Sequence, residues 1–219
     1  MKKIIAIILA ITCAFALFSC GDTGKAIKKI DKMYNSTAPT KIVIDETQKI
    51  GEIVIVTEGT FVTGKIDGMK AAIYEYRYQK LRPISDGDEE LSVFAEETGK
   101  HEYLEGTGYR IDGGEWDDEY DFAPKAGAIA LKFSAKDIKD FKEDKAAKSY
   151  TFVIPADKTE KVLGEAISAD VTVVITHDGA AIAGVTLTYT ITAEDAKHDD
   201  TVVTIKAKYT YDTEDITIE

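Results

Sequence analysis

Val185, Leu187, Tyr189 and Ile191 alternate without a break with Thr186, Thr188, Thr190 and Thr192. A period of two places the large side chains on one face of a strand and the hydroxyls on the other, as in a sheet covered on one side. Val203, Ile205, Ala207, Tyr209 and Tyr211 repeat the rule against Thr204, Lys206, Lys208 and Thr210. Ala72, Tyr74, Tyr76 and Tyr78 repeat it against Ile73, Glu75, Arg77 and Gln79. The pattern predicts strands near 40–46, 51–63, 69–81, 91–97, 102–112, 148–154, 171–177, 181–193 and 201–212. Asp67-Gly68, Asp112-Gly113-Gly114 and Asp178-Gly179 fall between such runs, where they favour antiparallel hairpins.

Three stretches depart from this period. Ile27, Ile30 and Met33 or Tyr34 recur at helical spacing, which predicts an amphipathic helix over 24–35 that ends in the segment from Ser36 to Pro39. Ser134 with Asp137 has the spacing of a capping box ahead of Ile138 and Phe141, and Asp157 with Glu160 has it ahead of Val162, Leu163 and Ile167. The fold class expected from these elements is α+β but mainly β: a curved antiparallel sheet, unclosed and barrel-like, with two or three short helices over one face.

The N-terminus has a different logic. Lys2 and Lys3 precede an apolar run from Ile4 to Phe18, and Ser19-Cys20-Gly21 follows. Fifteen helical residues span about 22 Å, short of the ~30 Å hydrocarbon layer, so a cleaved signal is a better reading than a permanent span. Residues 1–19 are expected to be a signal peptide, 20–36 a stalk with the first helix, and 37–219 one antiparallel β-rich domain. Leu17-Phe18-Ser19-Cys20 resembles the bacterial lipobox, which implies a diacylglyceryl and palmitate anchor on Cys20 and an address on the bacterial cell envelope. Gly21, in place of Asp after the cysteine, would send the protein to the outer membrane of a Gram-negative cell, whereas the Lys- and Ile-rich composition favours the outer face of a Gram-positive plasma membrane.

Charge and cysteine content narrow the partners. The chain carries 27 basic and 39 acidic residues, or −12. Removing Lys2 and Lys3 leaves 25 − 39 = −14, which excludes polyanionic nucleic acid as the main partner of the folded body. The only two cysteines are Cys13, inside the signal, and Cys20, so the mature domain keeps no thiol for a disulfide, zinc site or nucleophile.

Several motifs bear on chemistry. Gly59-Thr60-Phe61-Val62-Thr63-Gly64-Lys65 matches a phosphate-binding loop until Ile66, where a magnesium-binding hydroxyl is needed, so 51–64 is read as a long strand. His101, His177 and His198 lie beside predicted turns without metal-ligand or triad spacing and are read as exposed turn residues. The acidic runs Asp86, Asp88, Glu89, Glu90 and Glu115, Asp117, Asp118, Glu119, Asp121 lack the spacing of a calcium loop. No catalytic set, metal or cofactor is expected. The aromatic face of Tyr74, Tyr76 and Tyr78 is the candidate lining of a ligand site, its alternative being ordinary packing beneath a helix.

The order of elements, with Leu81-Arg82-Pro83, the stretch Tyr109–Trp116 and the closing run from Val171 to Asp212, resembles the lipoprotein-carrier superfamily (LolA/LppX-like). The resemblance implies an unclosed antiparallel barrel with helices over its concave face and, in some members, a bound lipid. The expectation is a monomeric, lipid-anchored, non-enzymatic envelope protein that binds a hydrophobic or amphiphilic ligand such as a lipid or acyl chain. The alternative is a surface interaction or sensor module with a filled core.

Overall fold

The computed structural model describes residues 23–35, 38–85, 90–118, 131–193, 199–212 and 216–218. After helix α1 (residues 23–35) come β1 (Lys41–Ile50), β2 (Ile53–Ile66), β3 (Met69–Pro83), β4 (Leu91–Leu104) and β5 (Gly108–Ile111). Then follow β6 (Lys139–Asp144), β7 (Ser149–Ile154), the short helix α2 (Thr159–Leu163), β8 (Val171–His177), β9 (Ile182–Ile191) and β10 (Thr201–Thr210). All ten strands belong to one curved, unclosed antiparallel sheet, in the order β5-β4-β3-β2-β1-β10-β9-β8-β7-β6. The expected fold class is therefore the observed one.

Two meanders build the sheet, one on each side of the β1–β10 ladder that runs from Lys41↔Thr210 to Ile50↔Thr201. Asp67 and Gly68 both take positive φ between Ile66↔Met69, the hairpin their sequence favours. Because antiparallel partners share a face, one row of side chains can be followed across the molecule. Tyr74 faces Phe61, Phe61 faces Ile42, Ile42 faces Tyr209, and on the far arm Val185 faces Ile175 and Ile175 faces Tyr150.

That shared face is covered unevenly. Ala26, Ile30 and Met33 of α1 recur at i, i+4 and i+7 and are buried in one cluster with Ile42, Tyr150, Phe152, Val162, Val173, Ile175 and Val185. Phe152, Ile154, Val171, Val173 and Ile175 are wholly buried, and truncating one such side chain to alanine costs about 2–5 kcal/mol. Beyond β1 the cover thins: on the same face Ala72 and Tyr103 are still buried, but Tyr74, Tyr76 and Tyr78 of β3 are only half-buried. The helices thus lie on the β1, β10, β9, β8 and β7 arm, and among the described residues no helix lies over the Tyr74, Tyr76 and Tyr78 row of the β2–β5 arm.

The structure corrects several boundaries. Residues 91–97 and the first part of 102–112 form one strand, β4, which runs straight through Thr98-Gly99-Lys100. The predicted strand over 102–112 is interrupted by a turn at 105–107 and resumes as β5. The helix expected after Ser134 is only a 3-10 turn, Ala135–Asp137, after which the chain enters the unexpected strand β6 and pairs with β7. The helix expected after Asp157 is a 3-10 turn followed by the five residues of α2, which stops at Gly164 in the left-handed region.

Buried polar groups pin these short elements. The Thr159 hydroxyl accepts from the Ile167 N–H at 2.8 Å and donates to the Ala156 carbonyl at 3.0 Å. Asp137, only 2% exposed, accepts from the Ser134 N–H at 2.9 Å, from the Ser134 hydroxyl at 2.5 Å and from Lys161 Nζ at 2.6 Å. Hydrogen bonds from Lys161 and then Ser134 hold its pKa down at about 2. A folded-state pKa below the unfolded value adds stability that is complete above the unfolded pKa and is lost as pH falls toward 2. Asp137→Asn is expected to cost about 1–2 kcal/mol at pH 7, the exposed Lys161 end being partly screened, and much less below about pH 2.5. Urea unfolding of both proteins at the two pH values checks this, and a pH-independent difference would contradict it.

Candidate functional site

The open arm carries the predicted tyrosines. Tyr74, Tyr76 and Tyr78 sit on one face of β3 opposite Phe61, Gly59 and Thr57 of β2 and opposite His101, Gly99 and Glu97 of β4. All three are half-buried, and no helix is described over them. Tyr74 and Tyr76 stack with centroids 5.8 Å apart at 23°, whereas Tyr78 stands apart with Lys80 Nζ 5.8 Å above its ring. The structure thus brings Tyr74 and Tyr76 together and leaves Tyr78 at the edge of the group.

Two strand glycines explain how the rings lie. A Cβ on Gly99 would stand 2.4 Å from Cε1 of Tyr76, and one on Gly59 would stand 3.2 Å from Cε2 of Tyr74. Each ring therefore rests against bare backbone of a neighbouring strand, covering a sheet surface that lacks its own side chain. The Tyr76 hydroxyl donates to Glu97 Oε1 at 3.1 Å, which raises its pKa above the ordinary tyrosine value.

His101 belongs to this group and is not an exposed turn residue. It lies within β4, half-buried, with centroids 5.9 Å from both Tyr74 and Tyr76 and 5.6 Å from Tyr109, at interplanar angles of 74°, 63° and 67°. His101 Nδ1 and the Tyr109 hydroxyl are hydrogen-bonded. Beside these rings is a cavity of about 160 Å³ lined by Phe61, Ala72, Tyr74, His101, Glu102, Tyr103 and Tyr109. Phe61, His101, Tyr103 and Tyr109 were not expected at a site. Continuing the alternation Glu97, Gly99, His101, Tyr103 through the glycine would have placed His101 and Tyr103 in phase.

The opposite face holds the charge beneath the cavity. Glu102, 1% exposed, pairs with Arg110 at 2.6 Å and Lys100 at 3.0 Å. Desolvation pushes its pKa up, but the hydrogen bonds from Arg110 and Lys100 outweigh this and keep it below the usual range. Arg110 in turn lies 4.7 Å over the Trp116 ring, which the Asp112-Gly113 turn and the Tyr109↔Asp117 bridge bring back beneath it. The Tyr109–Trp116 stretch is therefore a small hairpin that braces the cavity floor.

The other singled-out residues fall elsewhere. His177 ends β8 and stacks on Tyr150 with centroids 5.1 Å apart, again not an exposed turn. Burial, and then nearby Lys29, hold its pKa below the ordinary histidine value. The 59–65 segment is β2 throughout, so it forms no loop around a phosphate. Among the described residues no three His, Cys, Asp or Glu side chains are grouped to hold a metal, and no helix is long and apolar enough to cross a membrane. Cys20, the 1–19 signal, His198, Asp86, Asp88, Glu89, Glu119 and Asp121 lie outside the described residues.

No protein-family model matches this chain, and no curated protein matches it significantly. The glycine cradle offers a direct check of the ring geometry. Gly99→Ala should shift the Tyr76 ring resonances and lower stability by about 1–3 kcal/mol, as overpacking does. In a Tyr76→Ala background the same change should be neutral or stabilising by up to about 1 kcal/mol, because alanine then only relieves the flexibility of glycine. Denaturant melts of the four proteins test this, and equal effects in both backgrounds would contradict it.

Proposed function

We propose that this is a lipid-anchored, non-enzymatic bacterial envelope protein whose open half-sheet binds a small apolar or amphiphilic group. The observation that carries the reading is the aromatic cavity between β2, β3, β4 and β5, on the arm the helices leave open. The anchor rests on the lipobox-like segment ending at Cys20, and the absence of a nucleophile–base or metal spacing in the sequence is why the reading is non-enzymatic.

Volume limits the ligand. A cavity of about 160 Å³ is close to the ~150 Å³ that holds a benzene ring, and well below the ~300–1,000 Å³ of sites that bury drug-sized molecules. Beneath α1 and α2 Ile30, Phe152 and Val162 are buried together in one cluster, which supports a packed core on that arm. The site therefore suits one headgroup, ring or chain end, and the lipid-carrier expectation narrows accordingly. The interaction-module reading draws on a different feature: the outer edge of β4 from Leu91 to Lys100 has no strand partner among the described residues, and Val93 and Phe94 are exposed along it.

Ligand-observed NMR with benzyl alcohol tests the cavity. Saturable binding is expected, with loss in Ala72→Leu, which fills the space at a cost of about 1–3 kcal/mol in stability. Cys20→Ser should abolish incorporation of labelled palmitate and release the protein from membranes. Unchanged binding by Ala72→Leu would count against the cavity, and palmitate labelling of Cys20→Ser against the anchor. Reproducible crosslinking of one partner protein through β4, with no small-molecule binding, would favour the module.

A further inference from the structure

We infer that the cavity is an aromatic cage for a methylated ammonium group, the head of a choline-like ligand. This rests on the proposed small-group site and names its chemistry. Five of its seven lining residues are aromatic, Phe61, Tyr74, His101, Tyr103 and Tyr109, and they come from four adjacent strands. Their rings are not stacked on one another: Tyr74 and Tyr109 meet His101 at 74° and 67°. Steeply angled rings present π faces from several directions around one small volume. Each tyrosine or phenylalanine face carries the negative end of a quadrupole and attracts a cation within about 6 Å.

Three features select a quaternary ammonium over other occupants. First, such a group has no N–H, so it asks for no hydrogen-bond acceptor. The polar tips here are largely engaged already, His101 with Tyr109 and the Glu102 carboxylate with Arg110 and Lys100. A primary ammonium or guanidinium would enter with unsatisfied donors. Second, size fits: a trimethylammonium head is comparable to a benzene ring, and the cavity measures about 160 Å³. Third, the charge is complementary. The chain carries −12, and the two cations paired with Glu102, Lys100 and Arg110, lie with it on the opposite face of the sheet from the rings. A neutral isostere would fill the space without the cation–π attraction.

Titration of the full-length protein in a maltoside detergent with choline, and with its uncharged carbon isostere 3,3-dimethylbutan-1-ol, separates charge from shape. Choline is expected to bind about 3- to 30-fold more tightly. Tyr74→Leu and, independently, Tyr109→Leu should erase that preference while leaving isostere binding within about 3-fold, each variant being accepted only if its thermal melt stays cooperative. Equal binding of choline and isostere would overturn the ammonium cage and leave the apolar site standing. Failure of both, together with benzyl alcohol, would overturn the site itself. Retention on phosphatidylcholine vesicles over phosphatidylglycerol vesicles would identify a lipid headgroup as the source, and choline binding without such retention a free solute; either supports the cage.

Discussion

The ten-residue antiparallel ladder between β1 and β10 is the constraint on which the rest of the structure depends. It joins Lys41 to Thr210 and Ile50 to Thr201, so two meanders formed far apart in the chain become one sheet. Without it each arm is a five-stranded sheet with two edges, four in all against the two of the joined sheet. With it, ten strands spaced at about 4.8 Å make a surface roughly 43 Å wide if flattened. Such a ladder closes a loop of most of the chain, a slow kind of contact to form, and its two flanking hairpin arms are local by comparison.

A surface that wide needs more cover than the chain's described helices supply. Helix α1 and the single turn and a half of α2 protect the β10–β7 side, where Val171, Val173, Ile175 and Phe152 are excluded from water. On the β2–β5 side, among the described residues, tyrosine side chains and no helix lie over the sheet. Tyr74 and Tyr76 fold down over Gly59 and Gly99, so their rings shield the backbone, and the Tyr76 hydroxyl donates to Glu97. A covering made of side chains is thinner than a helix and leaves gaps, and the cavity beside His101 is one of them. The proposed binding function thus follows from how the sheet solves its coverage problem.

Most strands were legible because their alternation is strict, and β3, β9 and β10 need nothing beyond it. The failures have local causes. Strand β6, Lys-Asp-Phe-Lys-Glu-Asp, has one apolar residue, Phe141, so no period exists to read; its place is decided by pairing with β7 and by Phe141 stacking on Tyr150 and Phe152. The Ser134–Asp137 spacing does form a capping contact, but Asp137 is held by Lys161 from α2, and the chain turns into the sheet instead of continuing as helix. Thr98-Gly99-Lys100 looks like a turn because glycine is rare inside strands, and only the ring of Tyr76 on the neighbouring strand explains its presence. The same misreading hid His101. Tyr74 and Tyr76 were visible as an aromatic face, but the cavity also needs Phe61 and Tyr109, and those meet them only through the register of four strands.

Chemical accessibility of individual tyrosines tests the uneven cover most directly. Brief nitration of the native protein with tetranitromethane, mapped by peptide mass spectrometry, should modify Tyr76 and Tyr78 well before Tyr150, which is 1% exposed. Protection of Tyr76 and Tyr78 to the same degree as Tyr150 would mean that the β2–β5 face is covered after all, and would contradict the account.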